Sequence, residues 1–221
     1  MRHCYKLLTL FITIGCSTQN ISEDDKLNVT NELVKMREID QIYAGVPSVE
    51  LKEKHGFTRA WEIYKIKGDS VNLVNQNKAK EILKTYGFIG INNFSKTASS
   101  NFWLIVQHAD NDVQFQDKYL KLMKKELKKG NANKTNYAYL EDRVNVNKGK
   151  KQQFGTQVTY NNLGQAIPVN GLIDSLNIER IRTEYGLESF VDYYNEMTQM
   201  HFDMNKDSFI KKGIQAPILY K

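Results

Sequence analysis

The stretch from Val113 to Lys129, VQFQDKYLKLMKKELKK, decides the fold class. Its apolar residues recur every three or four positions, which is typical of one face of an α-helix, and lysines occupy the opposite face. Gly130 follows directly and is a common helix stop. We therefore predict an amphipathic helix that packs against a helical body. Its apolar face consists of Phe115, Tyr119, Leu122, Met123 and Leu127.

Helical patterns also lie on both sides of this stretch. Three residues that favour helix N-caps, Ser22, Asn75 and Asn133, each precede one of them. We find no clear domain boundary, so we predict a single helical domain over residues 22–221. The predicted helices cover about 22–43, 75–86, 96–108, 133–143, 177–185 and 188–201.

The periodicity changes after residue 143. Val144 and Val146 alternate with polar residues, a turn follows at 147–150, and the segment 152–160 is typical of a strand. A second turn precedes a short apolar run that ends in Val169. The sequence therefore predicts a mainly α (α+β) fold with a small antiparallel β-hairpin or sheet at about 144–169.

Residues 1–15 are predicted to be a lipoprotein signal peptide. Basic residues precede the apolar run 7–14, which is too short for a bilayer that takes about 20 residues to span. Gly15 and Cys16, followed by polar residues, resemble the bacterial lipobox, in which the cysteine is diacylated and becomes the first residue. We expect a lipidated Cys16, a short tether over 16–21 and a lipid-anchored envelope protein that faces the periplasm or the cell surface. A secretory signal with an incidental cysteine is the alternative.

Composition excludes several classes of protein and site. Hydrophobic residues make up 41% and charged residues 25%, which is ordinary for a globular protein. Beyond Cys16 the chain has no cysteine, so disulfides, cysteine nucleophiles and cysteine-based zinc sites are excluded. The formal charge of +6 falls to +4 once Arg2 and Lys6 leave with the signal peptide, which is too small to indicate nucleic-acid binding.

We expect the membrane, reached through the lipid, as a partner, with no nucleic acid, no cofactor and a monomeric body. The lysine-rich stretch 118–151 is interpreted as a solvated face, with contact to an anionic surface as the alternative. Whether a small molecule or another envelope component is the further partner stays open.

Three polar clusters lie between residues 107 and 157, and apolar residues bracket each one. The first contains His108 and Asp110, the second Asp142 and Arg143, and the third is the segment 152–157. Buried polar groups need partners, so we expect the clusters to satisfy one another. Arg143 is expected to form a bidentate pair with Asp110 or Asp142.

The same residues are candidates for catalysis. His108 is the candidate general base, since histidine titrates near neutrality, with Asp110 or Asp142 to orient it. Arg143 would bind an anionic group or an oxyanion, and Thr156 is the available hydroxyl nucleophile. This set predicts a small-substrate hydrolase, while a binding module whose polar residues form a structural network is the alternative. The candidate ligand-binding residues are Gln107, Gln153 and Gln157.

Two pairs of residues are candidate metal ligands. His108 with Asp110, and His201 with Asp203, form two His-x-Asp pairs, which would supply enough ligands for one zinc or iron ion. A single histidine at a helix end is more often a cap or a core residue, and we therefore predict no metal.

Three motifs carry a resemblance to a known family. They are FWLIVQHAD at 102–110, AYLEDRV at 138–144 and GKKQQFGTQ at 149–157. With Asp40, Gln41 and Asn75, they resemble the bacterial family called domain of unknown function 6624 over roughly residues 33–190. Phe154 stands where this family is expected to have tyrosine, and the stretch from about 191 is expected to lie outside it. The family has no assigned activity, so the resemblance implies no catalytic role.

Overall fold

A computed structural model describes residues 21–221. Within this part of the chain, nine helices hold about 63% of the residues, and the strands form one two-stranded antiparallel sheet. The predicted mainly α fold with a small hairpin is therefore confirmed. The elements are α1 Glu23–Ile42, α2 Val49–His55, α3 Phe57–Tyr86, α4 Lys96–Gln107, α5 Val113–Leu127, α6 Lys134–Asn147, β1 Val158–Tyr160, β2 Ala166–Pro168, α7 Ile178–Glu184, α8 Phe190–Met204 and α9 Lys206–Lys211.

Local capping explains where several helices begin. The Ser22 side chain accepts a hydrogen bond from the Asp25 amide at the start of α1, and Asn133 caps α6 in the same way. These two predicted caps are confirmed, but the third is wrong. Asn75 lies inside α3, where its side-chain amide donates to the Met36 carbonyl of α1 at 3.1 Å. A potential cap residue in a helix that continues on both sides pairs with a neighbouring element instead.

The hairpin is shorter than predicted. Its antiparallel register pairs Val158 with Pro168 and Tyr160 with Ala166. Residues 144–147 belong to α6, so the prediction of a strand at Val144 and Val146 is wrong. Val144 is buried on the same face of α6 as Leu140, four residues earlier, and this helical spacing outweighs a two-residue alternation.

The core is organised around α4, which packs against α1, α3, α5 and α6. Its apolar residues Phe102, Ile105 and Val106 are buried, and Phe102 contacts Tyr119 of α5 with ring centroids 5.1 Å apart. The apolar face predicted for α5 is thus directed into the core. Because α4 ends at Gln107, the residues that follow it emerge at the end of the central helix.

No helix between residues 21 and 221 is both long enough and apolar enough to cross a bilayer. The predicted signal peptide, the lipidated Cys16 and most of the tether lie outside the described residues.

Candidate functional site

The polar residues predicted from sequence fall into two separate places. One is an open cleft of about 230 Å³ at the end of α4, and the other is a buried loop that follows α6. His108, Asp110 and Arg143 belong to the cleft, whereas Asp142 and Thr156 belong to the buried loop. The residues that line the cleft are Asp40, Tyr43, Ala44, Asn72, His108, Asp110 and Arg143.

A buried carboxylate holds the imidazole of His108. Nδ1 of His108 lies 2.9 Å from both carboxylate oxygens of Asp40. Asp40 is a residue of α1 and is 3% exposed. The Gln41 side chain also donates to Asp40, at 2.9 Å. A carboxylate only accepts hydrogen bonds, so Nδ1 carries the proton and Nε2 is available to a ligand in the cleft. Asp40, rather than Asp110 or Asp142, orients His108.

Asp110 and Arg143 form the second pair of the cleft. Arg143 donates through Nε to Oδ1 at 2.8 Å and through Nη2 to Oδ2 at 2.5 Å, which is the bidentate geometry expected for this pair. Asn147 donates to Oδ1 at 2.9 Å and Gln116 at 3.2 Å. Gln116 is fully buried and also donates to the Gln107 carbonyl at 3.0 Å, so it fixes Asp110 against the end of α4.

The stability that Asp110 provides should depend on pH. Burial favours its protonated form, but the hydrogen bonds and charge of Arg143, with Asn147 and Gln116, outweigh burial and hold the pKa of Asp110 below its ordinary value. The ionised carboxylate therefore stabilises the fold above the unfolded-state pKa of about 3.9, and this contribution is lost as the pH falls through the lower, folded-state pKa. The side chain is 45% exposed, so we expect at most about 1 kcal/mol.

Thermal melts of wild type and Asp110→Asn between pH 7 and pH 3 would measure this contribution. The variant should melt slightly lower at pH 7, and the difference should shrink below pH 4. A difference that stayed constant over this range would contradict the assignment.

Asp142 anchors the loop 152–157. It is fully buried on α6, and its carboxylate accepts from the backbone amides of Gln153 at 2.7 Å, Phe154 at 3.1 Å and Thr156 at 2.9 Å. The Thr156 hydroxyl donates to it as well, at 3.0 Å. Burial raises the pKa of Asp142, and the backbone donors offset part of this rise because they favour the ionised form. Asp142 and Thr156 are therefore engaged with each other and do not line the cleft.

Arg182 binds the same loop through its carbonyls. This residue of α7 is 1% exposed, and burial lowers the pKa of its guanidinium. Its guanidinium also lies 4.9 Å from the centre of the Tyr193 ring. With Asp142 on the amides and Arg182 on the carbonyls, the loop is held by opposite charges. The loop carbonyls that accept from Arg182 are those of Phe154 at 2.8 Å and Gly155 at 3.3 Å. Arg182 also donates to the carbonyl of Glu188, outside the loop, at 2.7 Å.

None of the three predicted ligand-binding glutamines lines the cleft. Gln107 is 8% exposed, and its Oε1 has no hydrogen-bond partner within residues 21–221. Gln153 contributes its backbone amide to Asp142, and the Gln157 side chain donates to the Thr156 hydroxyl at 3.1 Å. The neighbouring Gln152, which is not among the predicted ligand-binding residues, is fully buried, and its side chain donates to the carbonyls of Gln157 and Val169, each at 2.8 Å.

The model of DUF6624, described as a family of unknown function, matches residues 27–202. The chain belongs to DUF6624. No curated protein and no solved structure matches it. The family region contains the cleft, the loop 152–157 and nearly all of α8, so the expectation that the family ends near residue 190 is wrong.

Within the described residues of this DUF6624 protein, no three histidine, cysteine, aspartate or glutamate side chains are grouped as metal ligands. The two His-x-Asp pairs considered as ligands have other contacts. His108 binds Asp40 and Asp110 binds Arg143, as described above. The His201 ring stacks on Tyr160 with centroids 3.7 Å apart.

Sequence reasoning missed two charged residues of these sites. Asp40 lies 68 positions before His108 on a helix that looks solvated, and Arg182 stands in the last turn of a short helix, where a basic residue is ordinary. Asp40 and Gln41 stand out in the sequence only as positions that resemble the family. No pattern in the sequence connects Arg182 with the loop 152–157.

Proposed function

We propose that this DUF6624 protein is a bacterial envelope lipoprotein that hydrolyses a small polar substrate in the cleft, with His108 as the general base and water as the nucleophile. The observation that carries the proposal is the Asp40–His108 pair. A buried carboxylate imposes one imidazole tautomer, and the other ring nitrogen is left for an open cleft. This arrangement suits proton transfer near neutral pH.

In the proposed reaction, Nε2 of His108 takes a proton from water while the water oxygen bonds to the carbonyl carbon of an ester or amide. The C–O or C–N bond then breaks, and His108 returns the proton to the leaving group. Asp40 stabilises the imidazolium that forms in between. Arg143, held by Asp110, would stabilise the oxyanion. Thr156 takes no part, because it is buried against Asp142.

The charge of the cleft points to a neutral or cationic substrate. Asp40 and Asp110 bring two carboxylates, Arg143 brings one guanidinium, and His108 is neutral when it acts as a base. The guanidinium of Arg143 is already paired with Asp110, so it provides local polarity rather than a free positive charge. An anionic substrate would meet a small excess of negative charge.

A non-catalytic envelope binding module is the second candidate. It is favoured because, among residues 21–221, those that line the cleft include no serine, threonine or cysteine nucleophile. It is also favoured because Asp142 and Thr156 form the structural polar network that this alternative requires. The test is a panel of chromogenic esters and amides with the chain that starts at Ser17. Turnover that is lost in His108→Ala would support the hydrolase, and a lack of turnover on every substrate would leave the binding module.

Replacing Cys16 with serine should release the protein from membranes. Two acyl chains give stable anchoring, and without the thiol no chain can be attached at this position. Fractionation of cells that express wild type, Cys16→Ser and the control Ser17→Ala measures the effect. We expect wild type and Ser17→Ala in the membrane fraction and Cys16→Ser outside it, and a Cys16→Ser protein that stays with the membrane would contradict the anchor.

A further inference from the structure

A groove that is lined mainly by aliphatic and aromatic side chains adjoins the cleft. It has a volume of about 270 Å³, and Tyr43 lines both cavities. Ile42 is 62% exposed and Val46 is 58% exposed, so the rest of the described chain leaves much of this apolar surface uncovered. The groove is lined by Ile42, Tyr43, Val46, Ser48, Leu51, Tyr64 and Lys67.

Hydrogen bonds and packing hold the groove in shape. The Tyr64 hydroxyl donates to the Ile42 carbonyl at 2.6 Å and accepts from the Gly45 amide at 3.1 Å, which fixes the loop after α1 to α3. The rings of Tyr43 and Tyr64 lie 5.3 Å apart. At Gly68 an added Cβ would lie 3.3 Å from the Tyr43 Cβ, so this glycine lets Tyr43 pack closely on α3. Tyr43 is therefore a fixed boundary between the polar cleft and a groove whose lining is mainly aliphatic and aromatic.

We propose that the groove binds the apolar arm of an amphiphilic substrate whose ester or amide group lies at His108. This inference rests on the proposed function and names its substrate class. The polar groups Asp40, His108 and Arg143 lie on one side of Tyr43, and the aliphatic side chains lie on the other. Each cavity alone is below or near the lower limit of small-molecule sites, about 300–1,000 Å³, whereas the two together fall within it.

Charge supports a neutral head group. The cleft carries a small excess of negative charge, and Lys67 is the one charged residue that lines the groove within residues 21–221. A fatty-acid carboxylate would therefore meet the carboxylates of Asp40 and Asp110, whereas an uncharged ester or amide would not. The occupant that fits both cavities has an uncharged polar group joined to a short alkyl chain.

Calorimetric titration with N-butyl-, N-hexyl- and N-octylacetamide tests the groove. The probes share the amide group and differ only in alkyl length. Each added methylene should tighten binding about fourfold, the fold-change that corresponds to about 0.8 kcal/mol per buried CH₂. His108→Ala should keep this dependence, because the variant removes no atom from the groove.

Val46→Asp places a charge in the groove and should disrupt alkyl-chain binding. Leu176→Asp places the same charge outside the groove and is the control. Both side chains are exposed, Val46 at 58% and Leu176 at 95%, so both variants should fold, and only Val46 lines the groove. We expect Val46→Asp to lose the dependence on chain length and Leu176→Asp to retain it. The proposal is overturned if affinity does not rise with chain length, or if the two variants bind equally.

Further outcomes distinguish substrate binding in the groove from membrane docking, and the groove proposal from the hydrolase proposal. If Val46→Asp abolishes sedimentation with phosphatidylcholine vesicles but leaves amide binding unchanged, the surface docks on membranes and the proposal is wrong. Chain-length-dependent binding without hydrolysis of any ester or amide would support the groove and contradict the hydrolase. Hydrolysis whose rate and binding do not depend on chain length would support the hydrolase and contradict the groove.

Discussion

Replacing Asp142 with alanine should lower the melting temperature by about 6–12 °C or more. Leaving one buried donor without its acceptor costs up to about 3 kcal/mol, and 1 kcal/mol shifts a protein of this size by about 2–4 °C. The side chain is fully buried and accepts from three backbone amides and one hydroxyl. Alanine would leave these donors without an acceptor in a part of the fold that water does not reach. Thermal unfolding followed by circular dichroism at pH 7 measures the shift.

Asp110→Ala is the control for this change. Asp110 also accepts several hydrogen bonds, including two from Arg143, but its side chain is 45% exposed and that of Arg143 is 26% exposed. Water can replace the lost contacts, so we expect a loss of at most about 1 kcal/mol. Arg143→Ala should behave like Asp110→Ala. Equal melting of Asp142→Ala and Asp110→Ala would show that Asp142 does not anchor the loop.

The adjacency of Asp142 and Arg143 links the buried loop to the cleft. Successive residues on an α-helix point about 100° apart, so α6 directs Asp142 to the loop 152–157 and Arg143 to the cleft. The hydrogen bonds between Asp142 and the loop 152–157 therefore also fix the rotation of α6, the helix that carries Arg143. This explains how the adjacent residues Asp142 and Arg143 contribute to the buried loop and to the cleft, respectively.

Local chemistry made much of the fold predictable. The caps at Ser22 and Asn133 depend on residues within one turn, and the apolar face of α5 depends on a spacing that the sequence displays. The strand predicted at Val144 and Val146 is wrong because alternation over so few residues suits a strand and a buried helix turn equally. The cap predicted at Asn75 is wrong because the partner of its side chain, the Met36 carbonyl, lies on another helix.

The contacts of the site could be predicted from the sequence only where few residue types can pair with a given side chain. Few residue types pair with an arginine, so Asp110 was one of two expected partners for Arg143, although they lie 33 positions apart. The partner of His108 was missed because any of 25 acidic residues could have filled that role, and the packing of α1 against α4 selects Asp40. Burial of Asp40 and Arg182 follows from the tertiary fold, which composition and spacing do not reveal.

Replacing His108 with alanine should lower turnover of an ester or amide substrate by about 10²–10⁴-fold, the usual contribution of a general base. The effect on stability should be smaller than that of Asp142→Ala. The His108 side chain is 24% exposed, so its removal opens Asp40 to the cleft, and water can take the place of the Nδ1 donor. We expect a loss of about 1–3 kcal/mol. Turnover on the best substrate of the panel and thermal melts separate the two effects.

Asp40→Asn distinguishes a base from a residue that merely binds. An amide both donates and accepts, so it no longer imposes the tautomer in which Nδ1 carries the proton, and part of the Nε2 population becomes protonated and unable to take a proton from water. Turnover should therefore fall although His108 is still present, while binding of the uncharged N-alkylacetamides should change little. His55→Ala, an exposed histidine of α2, is the control and should leave both unchanged. If Asp40→Asn keeps full turnover while His108→Ala loses it, the tautomer is not set by Asp40 and the proposed proton path is wrong.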